Sequence, residues 1–141
     1  MVSAVHVANY FLSKADDDAG DVISNLKLQK LLYYAQGFTL AIMGAPLFPE
    51  KIEAWTHGPV VPDVYHYFKA HGNAGLPIPA EVPEMPDDYA TILDEVYSVY
   101  AQFSAWKLRN MTHDESPWKD TIKSQEITNA SLFDFFSTQL V

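Results

Sequence analysis

Ser24-Asn-Leu-Lys-Leu-Gln-Lys-Leu-Leu-Tyr-Tyr-Ala-Gln-Gly-Phe-Thr-Leu-Ala-Ile-Met-Gly44 reads as one long helix. Leu28, Leu31, Leu32, Ala35 and Ile42 fall at i, i+3, i+4, i+7 and i+14, which lines them up on one face of a 3.6-residue repeat. Ser24 or Asn25 supplies a side-chain oxygen for the orphan amides of the first turn. Gly44 offers a left-handed stop, and Pro46 prevents the helix from resuming. Tyr33 and Tyr34 are neighbours, so they point about 100° apart. The pattern predicts at least one of them near the edge of the buried stripe.

On the N-terminal side, Val2, Val5, Ala8 and Leu12 share a helical face. An acidic loop, 15–21, joins that helix to the long one. It fails as a calcium loop, because Gly20 and Lys27 fall where an EF-hand needs ligands. On the C-terminal side, Ile52, Ala54 and Thr56 alternate with Glu53, Trp55 and His57, as in a short strand. Gly58-Pro59 makes a turn, and Pro62 suits the first position of a helix burying Val64, Tyr67 and Phe68. Residues 73–87 carry Pro77, Pro79, Pro83 and Pro86 and form a surface loop. Beyond it, Ile92, Val96, Val99, Phe103 and Trp106 keep helical spacing, with a break capped by Ser104. A short helix begins near Trp118. Thr128 or Asn129 caps a last helix that carries Leu132, Phe135, Phe136 and Leu140. The expectation is a mainly α fold: one domain over 1–141, a compact bundle of about six or seven helices, with at most a short β-strand pair near 51–57.

Composition narrows the function. With 48% hydrophobic and 19% charged residues in 141, the chain can bury a core and is not intrinsically disordered. It has no cysteine, so disulfides, thiolate nucleophiles and cysteine-bound zinc are excluded, in keeping with a reducing cytoplasm. Eighteen acids against nine bases give a net charge of −9, which opposes the approach of nucleic acid. No stretch reaches the ~20 apolar residues that cross a bilayer, and the N-terminus lacks the basic region of a signal peptide.

No nucleophile elbow, phosphate loop, dinucleotide fingerprint or zincin motif is present in the sequence. His66 and His71 are five apart and fall on different helical faces. His57 and His113, with Asp114 and Glu115, are free to meet in space, which keeps a hydrolase reading open, and Lys27 with Lys30 keeps a DNA-binding one open. The expectation is nevertheless a protein with no catalytic residues, metal or cofactor. The aromatic residues left over from the helical stripes suit a protein interface, where Tyr and Trp anchor binding.

Three stretches carry a family resemblance. They are Ile23 to Gly37; Pro46-Leu-Phe with Ile52-Glu-Ala-Trp-Thr-His-Gly-Pro-Val-Val-Pro-Asp-Val-Tyr65; and Leu108-Arg-Asn-Met-Thr-His-Asp-Glu-Ser-Pro-Trp-Lys119. Together they resemble the Panacea domain, the SocA-type antitoxin family that includes phage-associated proteins. Ser116 departs from the glycine expected there, and 73–87 matches no part of the pattern. The resemblance implies a cytoplasmic antitoxin that binds and neutralises a cognate protein toxin, with the SocA type also acting as a proteolytic adaptor towards the ClpXP protease. Within the matched stretches, Lys27, Gln29, Lys30, Gln36, Glu53, Trp55 and His57 are not explained by the stripe. They either knit the helix to the strand or face a partner. The candidate partner contacts are Lys30, Tyr34, Trp55, His57, Val60, Val61 and Tyr65.

Overall fold

The computed structural model describes residues 1–16 and 20–140. Seven α-helices carry the fold: α1 (Ala4–Leu12), α2 (Asn25–Met43), α3 (Pro62–Tyr67), α4 (Asp87–Tyr100), α5 (Ala105–His113), α6 (Ser116–Lys119) and α7 (Asn129–Ser137). Three short strands, β1 (Ile52–Trp55), β2 (Gly58–Val60) and β3 (Glu126–Ile127), form an antiparallel sheet in the order β2-β1-β3. The mainly helical expectation holds, and the alternation read at 51–57 is visible in β1. The sheet, however, has three strands where the sequence predicts at most a pair, and Gly58-Pro59, which reads as a turn, opens β2. Ile52 and Ala54 point inward at 2% and 1% exposure, with Glu53 and Trp55 on the other face.

The long helix is bounded as its sequence dictates. Ser24 Oγ accepts from the Lys27 amide, and Gly44 adopts φ 73° with its amide on the Leu40 carbonyl. Ser3, Ser104 and Thr128 cap α1, α5 and α7 in the same way. Pro86, which cannot bond as a cap, precedes α4, so Asp87 and Asp88 act through the charge they place in its first turn.

α2 does not present one buried stripe. It packs against α1, α3, α4, α5, α7 and β2, so it is the axis of the domain and is buried on nearly every side. Tyr33 and Tyr34 both lie fully inside, contrary to the edge position expected for one of them, because neighbours cover both directions. Ile42, which the period places in the stripe, is 54% exposed at the C-terminal end, where the surrounding elements run out. Val99, Trp106, Tyr67 and Leu140 are likewise exposed although spacing had assigned them to core faces. The acidic-loop reading at 15–21 falls partly on residues 17–19, which lie outside the described residues. Residues 73–86 pass over the surface as the proline content predicts, pinned where the Leu76 amide donates to the Ile23 carbonyl at 2.8 Å.

A helix buried all round must satisfy its polar side chains internally. Gln36 does so by clamping the chain that follows α2. Its Oε1 accepts from the Leu47 and Phe48 amides, and its Nε2 donates to the Phe48 carbonyl.

Candidate partner-binding site

The same logic builds the wall of the site. β2 has Pro59 at its centre and lies at the edge of the sheet, so its outward backbone groups need partners from elsewhere. α2 supplies them. Lys30 Nζ donates to the Pro59 carbonyl at 3.0 Å, and the Val61 amide donates to Gln29 Oε1 at 2.8 Å. Gln29 Nε2 in turn donates to Asn25 Oδ1, and Asn25 Nδ2 donates to the Tyr65 carbonyl. Asn25 is therefore a strut to α3 as well as the first residue of its own helix. Gly58 takes φ 108°, and a Cβ there would come within 2.8 Å of Lys30 Cε and Thr112 Oγ1. Only glycine fits.

The third stretch, Leu108 to Lys119, closes the framework from the other side. Glu115 sits on the tyrosine pair, with the Tyr33 and Tyr34 hydroxyls donating to its two carboxylate oxygens at 2.9 and 3.0 Å. Tyr34 stacks on Tyr100 at 3.8 Å between ring centres. Trp118 Nε1 donates to the Trp55 carbonyl at 2.7 Å, and His113 stacks flat on the Trp118 ring. Burial dominates the protonation of these groups. It raises the Glu115 carboxyl to about 7, against the pull of the two tyrosine hydrogen bonds, and lowers the Lys30 amine to about 7, with help from the Arg109 charge. Tyr33 and Tyr34 are pushed up by burial and then by the Glu115 charge.

On this framework lies an open groove of about 620 Å³. Trp55, His57, Val60 and Tyr65 line it, together with Lys69 and Lys123. Trp55 and Tyr65 meet edge to face, 5.0 Å between centres. The Trp55 indole nitrogen is occupied by Glu53 Oε1 at 3.0 Å, so this residue offers its ring rather than its donor. The structure thus brings four of the seven expected contacts to one groove. Val60 reaches it with only 5% of its surface exposed. Lys30, Tyr34 and Val61 are at 0%: they lie beneath the surface and serve the framework, so a partner meeting this conformation does not touch them.

Of the polar residues left open between knitting and binding, Gln29, Lys30 and Gln36 knit. The Lys27/Lys30 pair does not make a basic surface, since Lys30 is buried and Lys27 Nζ donates to the Ala101 carbonyl at 2.6 Å. His57 lies within electrostatic reach of His113, but it packs against Trp106 while His113 packs against Trp118. Among the described residues no group of three or more His, Asp or Glu is placed to hold a metal. No described helix is long and apolar enough to cross a membrane. Sequence reading missed Lys69 and Lys123, which follow no local pattern, and grouped Glu115 with His57 and His113 rather than with its tyrosine partners about eighty residues away.

Fold and site define a mainly helical domain in which a buried polar framework backs an aromatic groove at the surface. The family model described as "Antitoxin SocA-like, Panacea domain" matches residues 28–119. Antitoxin SocA of Caulobacter vibrioides (strain NA1000 / CB15N) is 38% identical over 146 residues, spanning 93% of this chain and 76% of that protein. The chain belongs to the SocA-like, Panacea domain antitoxin family. No solved structure matches it.

Proposed function

We propose that the chain neutralises a cognate protein toxin in the cytoplasm by binding it through the Trp55–Tyr65 groove. Family membership supports the antitoxin role. The observation that carries the site is the convergence of Trp55, His57, Val60 and Tyr65 on one groove whose backbone is fixed from α2. A preformed aromatic surface of this kind loses little freedom when a partner seats on it.

Trp55→Ala and Tyr65→Ala are each expected to weaken toxin binding by about thirtyfold or more, the range of a buried aromatic anchor. Both leave in place the backbone carbonyls that accept from Trp118 and Asn25, so the unfolding midpoint should move little. Affinity for the co-purified toxin, measured beside a thermal melt, checks this. Folded variants that hold the toxin as tightly as the parent would rule the groove out. The resemblance extends the proposal to delivery of the toxin to ClpXP. With the purified pair, toxin degradation by ClpXP should require the antitoxin, and degradation at the same rate without it would remove the adaptor role.

A further inference from the structure

We infer that the groove's occupant is an acidic segment of the partner protein, its carboxylates meeting Lys69 and Lys123 and an apolar side chain lying on the Trp55–Tyr65 corner. This deepens the proposed function and rests on the groove being the binding site. The chain carries 18 acids and 9 bases, yet the groove lining includes Lys69 and Lys123 and not one Asp or Glu. Charge of the rarer sign is therefore gathered along the groove, where Glu53, the carboxylate on the Trp55 indole, is itself paired with Lys51.

The state of these lysines adds a second observation. Lys14 pairs with Asp94 and Lys51 with Glu53, while Lys27 and Lys30 donate to backbone carbonyls. Among the described residues, Lys69 and Lys123 have neither an ion-pair nor a hydrogen-bond partner of their own, a state they share with Lys107 and Lys119; what sets them apart is that they lie on the groove. An unpaired ammonium beside an aromatic corner is complementary to a carboxylate flanked by an apolar residue. The acidic remainder of the surface repels such a segment, so the same charge pattern that attracts it here discourages it elsewhere. A nucleic acid fits less well. Two lysines neutralise too few phosphates to offset the field of a protein at −9.

The test uses the full chain and the toxin that it holds through purification, identified and then produced separately. Affinity is measured for the parent, for Lys69→Glu with Lys123→Glu, for a control pair Lys107→Glu with Lys119→Glu outside the groove, and for Trp55→Ala. Salt is raised from about 50 to about 300 mM in each case. The groove pair should lose about tenfold or more and most of its salt dependence, with the control pair close to the parent. If Trp55→Ala weakens binding and the groove pair does not, the acidic occupant is wrong while the groove stands. If neither weakens it, or no toxin is held at all, the groove reading falls as well. A short DNA duplex that displaces the toxin from the parent but not from the groove pair would overturn the inference in favour of nucleic acid.

Discussion

Phe136→Ala is expected to lower the unfolding free energy by about 4 kcal/mol, measured by chemical denaturation. The ring has no exposed surface and lies where α7 crosses α2, within 4.9 to 5.9 Å of the centres of Tyr33, Tyr34, Phe38 and Phe135. Tyr33 and Tyr34 are held by each other and by Glu115, so they cannot collapse into the space it would leave. Gly37 gives the same contact from the other side, since a Cβ there would overlap the Phe136 ring itself. In the parent, Gly37→Ala should therefore destabilise by about 2 kcal/mol through overpacking. Once Phe136 is alanine, the same change meets open space and should become neutral or favourable by up to about 1 kcal/mol, the helix preference of alanine over glycine. The sign reversal between backgrounds is the decisive result. Additive effects would mean that the two elements do not meet as described.

The second large effect concerns Lys30 and pH. An unfolded lysine holds its proton to about 10.5, whereas burial lets Lys30 release it near 7 in the fold. Between those values the unfolded chain binds more protons, so raising the pH favours folding. The contribution is fully present above the unfolded value and is lost as pH falls through about 7. At about 1.4 kcal/mol per unit once Lys30 is neutral in the fold, and less while it is half-protonated near pH 7, stability should rise by about 2 kcal/mol from pH 7 to pH 9. The window ends there because the buried tyrosines, all raised, begin to oppose further gain near pH 10. Glu115 acts with the opposite sign below this window, its raised carboxyl making stability fall as pH climbs from 4.5 to about 7. Lys30→Met leaves the Pro59 carbonyl without its donor but removes the titrating group, so its stability should stay nearly flat from pH 7 to pH 9. An equal slope in parent and variant would contradict the buried position of this amine.

Both effects concern residues whose surroundings come from distant parts of the chain, and these were the least legible in the sequence. Caps and breakers could be read directly, because Ser24, Gly44, Pro62 and Ser104 act on backbone within four residues of themselves. The inward set of β1 was legible for the same reason, since a strand's two faces alternate locally. Hydrophobic period was a poorer guide to which face of α2 lies inside. It reports apolar residues alone, whereas this helix also buries Asn25, Gln29, Lys30 and Gln36 against partners up to about forty residues away. Lys30 and Tyr34 were accordingly read as surface contacts, when they are the supports of that surface. β3 escaped notice because two residues hold no period at all. The groove was half legible: Trp55, His57, Val60 and Tyr65 are near one another in sequence, whereas Lys69 and Lys123 become neighbours of the same space only through the fold.

The central claim, that the aromatic groove over α2 is where a partner protein is gripped, is tested most directly by a photo-reactive benzophenone side chain placed in the complex. At position 65 it should cross-link the toxin in high yield. At Phe133, exposed on α7 and outside the groove, it should not. Efficient cross-linking from position 133, with none from position 65, would contradict the claim.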